Sequence, residues 1–235
     1  SLGGAFVSLA DDASAVAVNP AGLVQVEQGI FSYQLLSQVK LQRLVDSSIK
    51  LDWEFLPLVA CVFPVEEGSV HGALSLSTLF RSLSGRYGVH VLGASVSWKI
   101  LPRLAWGNTV GLAIGSADDE YAYGLFWQTG LLAPISDRVR LGLVARFPVA
   151  LEWDALRGDT SVRERLPLTL QGGVAWKTSE TSILSAELEF IDVAGIRYSS
   201  FEGAANPAQP TGLFRNVHPH VGFQFLHRPT GAELR

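Results

Sequence analysis

The sequence has few charged residues and a single cysteine. Only 17% of its 235 residues are Asp, Glu, Lys or Arg, and the formal net charge is −4, whereas an average soluble domain is about 25% charged. This composition excludes a generally basic nucleic-acid binder and a disordered polyelectrolyte. Cys61 alone forms neither an intramolecular disulfide framework nor a multi-cysteine zinc site. Methionine is absent even from position 1, so we expect a processed or excised piece.

A long apolar helical segment is also missing. The longest apolar run, residues 55–65, contains Pro57 and Pro64 and falls short of the about 20 residues that a spanning helix needs. Inside lipid every backbone N–H and C=O group must be paired, so a chain without such a helix crosses a bilayer only as a closed β-barrel. A membrane role for this chain therefore requires the strand pattern of a barrel.

Alternation of apolar and polar residues is the main pattern along the chain. Residues 92–100 have Leu, Ala, Val, Trp and Ile at even positions, with Gly, Ser, Ser and Lys between them. Successive side chains on a strand point to opposite faces, so such a segment has one apolar and one polar face. The pattern predicts ten strands, at 29–43, 49–65, 70–80, 87–100, 104–115, 121–133, 138–154, 166–178, 182–194 and 217–227. Most are longer than usual in soluble sheets and have the length of tilted membrane strands.

The connections between these strands alternate in length. Every second connection is short, and 155–165 and 195–216 are the longest of the others. Outer-membrane barrels have short periplasmic turns and longer outer loops in this order, whereas a soluble Greek-key sandwich does not separate its loops by length. The predicted fold is therefore an all-β, antiparallel, up-and-down transmembrane β-barrel in a bacterial outer membrane.

In such a barrel the apolar faces contact lipid and the polar faces line the lumen. The lumen-lining candidates are Arg138, Arg140, Arg146, Glu187, Glu189, His218 and His220. Aromatic residues near predicted strand ends are typical of a girdle at the membrane interfaces; they are Trp53, Tyr87, Trp98, Tyr121, Tyr123, Trp153 and Trp176. The alternative is a soluble β-sandwich with its apolar faces packed inward, since aromatic residues also dominate ordinary cores.

Residues 1–28 do not alternate, and they precede a barrel predicted to span 29–235. Asp11 or Asp12 can cap a short helix over residues 13–18. Asn19-Pro20-Ala21-Gly22 has the residue order of a type I turn. A short helix and a tight turn have the right size for a plug inside a barrel, and a surface turn before the first strand is the alternative.

The same segment resembles a known family. Residues 3–15, GGAFVSLADDASA, and then Asn19-Pro20-Ala21-Gly22-Leu23 are similar to the N-terminal signature of the outer-membrane long-chain fatty-acid transporter superfamily. That superfamily includes aromatic-hydrocarbon channels and related spirochaete and Bacteroidetes barrels, some serving type IX secretion. The resemblance implies a small helical hatch in the lumen containing Asn19, Pro20 and Ala21, with Gly22 completing its turn. It also implies about fourteen strands, so we expect C-terminal strands beyond those seen here.

Motifs for catalysis are missing from the sequence. It has no phosphate-binding glycine loop, nucleophile elbow or His-Glu-x-x-His motif, so we expect no enzyme and no cofactor. His218 and His220 share one predicted strand face and could hold a metal, but a polar lumen lining is the simpler interpretation. Arg138, Arg140 and Arg146 form either a basic ladder for anionic ligands or a charge balance with lumenal acids.

The resemblance implies passive uptake of hydrophobic small molecules such as long-chain fatty acids, gated by the hatch. The alternative is an interaction protein of the same fold that serves secretion or surface-complex assembly, with the long loops as binding surfaces. The expected partners are a hydrophobic ligand or detergent, outer-membrane lipid and, for the alternative, secretion-system or surface proteins. No nucleic-acid partner is expected.

Overall fold

The computed structural model describes residues 6–43, 49–66, 70–81, 87–117, 120–153, 162–192, 198–199 and 216–225. These residues contain a short helix α1, Ala15–Val18, and a 3-10 helix, Pro20–Gln25. The strands are β1 Ile30–Arg43, β2 Ile49–Glu66, β3 Val70–Arg81, β4 Tyr87–Leu101, β5 Leu104–Ala117, β6 Glu120–Pro134, β7 Val139–Arg146, β8 Ala150–Trp153, β9 Val162–Arg165, β10 Thr169–Ser179, β11 Ser182–Ile191, β12 Tyr198–Ser199 and β13 Val217–Phe225. In this part of the chain no helix is long and apolar enough to cross a membrane.

The strands form one antiparallel sheet. Its main path runs β1-β2-β3-β4-β5-β6-β7-β10-β11-β13, while β8 pairs with β6 and β9, and β9 pairs with β12. The path contains ten strands, and it confirms the predicted up-and-down all-β fold. Within the described residues, its end strands β1 and β13 do not pair with each other.

The two faces of the sheet differ in polarity along most of its length. On β4, Leu92 and Val96 are exposed on the outer face, whereas Ser95 and Ser97 are buried on the inner face. Ser95 is hydrogen-bonded there to Thr109 of β5, 2.8 Å away. The most exposed apolar side chains of the outer face include Leu74, Leu92, Leu125, Leu143, Leu188, Val221 and Phe223. An apolar outer band of this kind is what a lipid-facing surface requires.

The predicted strand 138–154 is interrupted in the structure. β7 ends at Arg146, β8 begins at Ala150, and Pro148 lies between them without an N–H group to donate to the ladder. The chain remains close to β6 through the interruption, because the backbone N–H of Phe147 donates to the carbonyl oxygen of Trp127 at 3.0 Å.

The interruption changes which side chains face inward. Gln128 of β6 pairs with Arg146, but Tyr123 of β6 pairs with Glu152, one residue beyond the position that an unbroken register would give. One extra residue on a strand reverses the faces of everything beyond it. The predicted lipid-facing position of the apolar residues there was therefore wrong, and the side chains that turn inward are Val149, Leu151 and Trp153.

Trp153 consequently does not belong to an outer aromatic girdle. It is 4% exposed, whereas Tyr121, Tyr123 and Trp176 are more than half exposed on the outer face. The side chains of Trp53 and Tyr87 lie outside the described residues, as do most of the two long connections, 155–165 and 195–216. Within those connections the structure adds the short strands β9 and β12, which the alternation pattern did not predict.

The N-terminal segment, residues 6–29, packs against the inner face of the sheet. Its buried residues form a shared core with inner residues of β2 and β3; the members are Ala10, Ala13, Ala15, Val16, Leu23, Val26, Leu58, Ala60, Val62 and Ala73. Alanine and valine dominate this contact, so the backbone of the segment comes close to the strands. A piece of chain that precedes the sheet in sequence therefore lies against its inner face.

Candidate functional site

A local hydrogen-bonded turn begins the helical part of the N-terminal segment. The Asp12 carboxylate accepts a hydrogen bond from the backbone N–H of Ser14 at 2.7 Å and another from the Ser14 hydroxyl. Its backbone carbonyl accepts from the N–H of Ala15 at 3.1 Å. Asp11 is exposed. The N-cap of α1 is Ser14, which makes no side-chain cap hydrogen bond, so the prediction that Asp11 or Asp12 caps this helix was wrong. Asp12 closes the turn that precedes the helix.

Asn19 joins the N-terminal segment to the sheet. Its side-chain Oδ1 accepts from the N–H of Ala21 at 3.1 Å, which begins the 3-10 helix. Its Nδ2 donates to the carbonyl oxygens of Val7 at 2.8 Å and of Leu131 in β6 at 3.1 Å. The N–H of Gly22 donates to the backbone carbonyl of Asn19 at 2.9 Å. One fully buried residue thus connects two stretches of the segment and one strand of the sheet.

Glycines on the inner face allow this close contact. Gly107 of β5 pairs with Gly130 of β6, and a Cβ atom on Gly107 would lie 2.3 Å from the backbone nitrogen of Ala21. A Cβ on Gly130 would lie 2.1 Å from Oδ1 of Asn19. Any larger residue would push the segment off the sheet. The alternation analysis missed these positions, although paired inner-facing glycines on neighbouring strands are the signal that could have found them.

Two side chains of the sheet bind the end of α1. Gln128 donates from Nε2 to the carbonyl oxygen of Val18 at 3.3 Å, and Arg146 donates from Nη2 to that of Ala17 at 3.4 Å. Nε of Arg146 also donates to Oε1 of Gln128 at 3.1 Å. The last carbonyls of a helix have no partner within the helix, and here residues of β6 and β7 supply the partners.

A third contact fixes the segment near the short-turn end of the sheet, the end that carries the turns at 102–103 and 135–138. Arg140 donates from Nη1 to Oε1 of Gln25 at 2.9 Å, and Nε2 of Gln25 donates to the carbonyl oxygen of Leu9 at 2.8 Å. Arg138, the remaining arginine of the proposed ladder, is exposed beyond the end of β6. Of the three arginines, Arg140 and Arg146 contact the N-terminal segment.

Glu187 of β11 contacts the start of the same segment. Its Oε2 accepts from the backbone N–H groups of Phe6 and Val7, each at 3.1 Å, and the side chain is nearly buried. Two backbone N–H groups aimed at one carboxylate oxygen fix the position of that side chain. The segment is therefore held from two sides, by β6 and β7 and by β11.

Glu189 and the two histidines lie beside that contact. Oε1 of Glu189 accepts from Nε2 of Gln171 at 2.9 Å, and Oε2 lies 3.5 Å from Nε2 of His220. His218 is exposed on the same strand. Among the described side chains, no group of three or more His, Cys, Asp and Glu residues is placed to hold a metal ion. The arrangement supplies polar contacts on the inner face.

The inner face is apolar toward the long-loop end. Its buried cluster consists of Val89, Val91, Ala113, Ala122, Phe126, Val149, Leu151 and Trp153. Nε1 of Trp153 donates to Oε2 of Glu164 at 3.1 Å, so the one polar atom of that ring is paired. This apolar inner wall was not expected, since the alternation pattern predicted a polar lumen throughout. The register change between β7 and β8 adds Val149, Leu151 and Trp153 to this wall, and inner residues of β4, β5 and β6 supply the rest.

Comparisons with known proteins agree with this architecture. No family model and no curated protein matches the sequence. Among solved structures, the Ralstonia pickettii toluene transporter TbuX is 12% identical with a TM-score of 0.65, over 96% of this chain and 77% of that one. The CymD monoaromatic hydrocarbon channel is 11% identical with a TM-score of 0.62, over 97% and 77%. A Pseudomonas aeruginosa FadL homologue is 13% identical with a TM-score of 0.58, over 85% and 69%.

The fold of the described residues is thus that of the solved β-barrel proteins to which this chain is similar. These structures include a FadL homologue, and the likeness confirms at the level of the fold the resemblance drawn from residues 3–15 and 19–23.

Proposed function

We propose that this chain forms an outer-membrane β-barrel for passive uptake of hydrophobic small molecules. Residues 1–28 act as a hatch within the barrel formed by 29–235. The observation that carries the proposal is the apolar inner wall at the long-loop end, next to an N-terminal segment held by hydrogen bonds on the same face. The side chains of this wall are packed against one another, so in this proposal an apolar solute binds by parting them, while the segment obstructs an open water path.

The outer face supports the membrane location. Leu125, Val221 and Phe223 are each more than 60% exposed, and exposed apolar patches of this extent are rare on soluble monomers. A bilayer around the sheet removes them from water. The short turns then lie on the periplasmic side, as their length predicts.

Passage of a solute requires the hatch to move. The contacts that hold it include hydrogen bonds from Asn19, Gln128 and Arg146 to backbone carbonyls, each worth about 0.5–3 kcal/mol net, and an apolar core shared with β2 and β3. A shift near Asn19–Gly22 breaks a few of them at once and opens a path along the inner face. No catalytic group or cofactor is needed for this process.

The apolar inner wall and the structural neighbours support a class of ligand. TbuX is described as a toluene transporter and CymD as a monoaromatic hydrocarbon channel. We propose that this chain takes hydrophobic molecules of that kind or long-chain fatty acids. The alternative of a secretion or surface-complex protein depends on the long loops, which lie largely outside the described residues.

Deletion of residues 1–22 tests the hatch. Without the segment the lumen is open, and single-channel ion conductance in planar bilayers should rise several-fold over that of the full chain. The control is Ser136→Ala in an exposed short turn, which should leave conductance unchanged. A deletion variant that inserts normally and conducts like the full chain would refute a lumenal hatch.

A further inference from the structure

A basic cavity lies at the short-turn end of the inner face, opposite the apolar inner wall. Its volume is about 530 Å³, and it is bounded by the end of the 3-10 helix and by the turn regions of β4–β5 and β6–β7. Lys99, Arg103 and Arg140 line it, with Glu27 as the only carboxylate among the described lining residues. The described lining therefore carries an excess of positive charge. None of the contacts that hold the hatch requires Lys99 or Arg103.

His71 adds an unpartnered polar atom to this cavity. The side chain is 1% exposed and lines the cavity near the start of β3. Its ring is hydrogen-bonded to the backbone of Val26, but its Nδ1 has no hydrogen-bond partner among the described residues. Buried polar atoms in folded proteins are nearly always paired. Because the other ring nitrogen donates to the backbone carbonyl of Val26, Nδ1 is an acceptor, and a hydroxyl or water donor in the cavity is what completes it.

The residues that line the cavity favour a ligand with one anionic oxygen group and an apolar part. Arginine and lysine donate charge-assisted hydrogen bonds to carboxylate oxygens, and the bond from Arg140 to Gln25 holds that guanidinium in place. Leu104 and Leu132 line the same cavity. A molecule with one carboxylate and a small hydrocarbon part can use both kinds of surface.

We propose that this cavity is a second binding site, which takes a small organic carboxylate. The acid group binds Lys99, Arg103 and Arg140, and the apolar part packs on Leu104 and Leu132. Binding of the acid depends only on the cavity. The idea that a transported acid leaves the barrel through this cavity rests on the proposed function.

Matched ligands test the site on the full chain in non-ionic detergent. Benzoate and benzyl alcohol share a ring and differ in charge, and acetate has the charge without the ring. In isothermal titration calorimetry, benzoate should bind about tenfold more tightly than either of the other two, since one charge-assisted contact is worth that factor. Equal affinity for benzoate and benzyl alcohol would overturn the anion site. Acetate binding as tightly as benzoate would show that the ring adds nothing to binding, and it would overturn a carboxylate with an apolar body as the ligand.

Substitutions locate the binding. The double variant Lys99→Gln/Arg103→Gln changes two exposed side chains, so the barrel should fold and show normal heat-modifiable migration on gels. It should weaken benzoate binding about tenfold and leave benzyl alcohol binding unchanged. The control is Lys177→Gln, a cation paired with Glu180 at 2.7 Å outside the cavity. An equal loss in the control, or no loss in the double variant, would refute the assignment.

Failure of this inference is separable from failure of the proposed function. Uptake of neutral toluene into liposomes tests the barrel as a hydrophobic channel and needs no carboxylate. A chain that admits toluene without preferring benzoate refutes only the anion site. A chain that prefers benzoate but does not admit toluene supports the anion site and counts against the proposed function.

Discussion

Oδ1 of Asn19 occupies the space into which a side chain at Gly130 would project, since a Cβ atom there would lie 2.1 Å away. Gly130→Ala should therefore displace Asn19, weaken the hatch contact and raise ion conductance in planar bilayers. Overpacking of this kind costs about 1–3 kcal/mol. The control is Gly172→Ala, where the new Cβ would meet only Cδ2 of Leu143 at 3.2 Å. Equal conductance of the two variants would contradict the contact.

Asn19→Asp tests the donor role of the Asn19 side chain. A carboxylate can still accept from Ala21, but it cannot donate to the carbonyl oxygens of Val7 and Leu131. Leaving these buried carbonyl groups unpaired costs about 1–3 kcal/mol. The ion conductance of Asn19→Asp should therefore rise as much as that of Asn19→Ala, which also lacks the donor. Asp11→Asn exchanges a carboxylate and an amide at an exposed position of the same segment and should have no effect. Normal conductance of Asn19→Asp would show that the donated bonds do not hold the hatch.

Leu151→Gln tests the apolar inner wall. The side chain is fully buried on the inner face, so a buried amide should reduce uptake of toluene into liposomes by several-fold. Glu152→Gln alters the adjacent exposed residue and serves as the control, with uptake unchanged. Both variants should migrate on gels as folded barrels. Equal uptake by the two would place the ligand path elsewhere.

Cys61 reports the membrane location without any substitution. It is the only cysteine of the chain and is exposed on the outer face of β2. In liposomes its thiol should resist a charged, membrane-impermeant thiosulfonate and react with an apolar maleimide. Unfolding in SDS should make it reactive toward both reagents. Rapid reaction of the folded protein with the charged reagent would favour a soluble sandwich with water around the sheet.

The order of the strands on the main path was predictable from sequence. On residues 92–100 of β4 and on β10 the residue types follow the period of two, because the outer face there is apolar and the inner face meets mainly polar groups. The turns at 102–103 and 135–138 are short enough to force antiparallel neighbours. Local patterns of this kind need no knowledge of distant residues.

The contacts of the N-terminal segment with the sheet were only partly predictable from the sequence. Asn19 and Asp12 were named from local turn and cap chemistry, which acts over two or three residues. Their long-range partners were not found, since the bond from Asn19 to Leu131 joins residues 112 positions apart. Arg140 and Arg146 were proposed as lumen residues, but their contacts with Gln25 and Ala17 depend on the N-terminal segment packing against the inner face of the sheet.

The sequence by itself determined an antiparallel sheet with an apolar outer face and a separate segment before it, because alternation and turn length are local properties of the chain. Tertiary structure decided the rest. One extra residue beside Pro148 turned Leu151 and Trp153 inward, and paired glycines let the segment approach the strands. The basic cavity arises only where the short turns meet. Each of these features depends on which distant residues share a face, and that follows from register and packing.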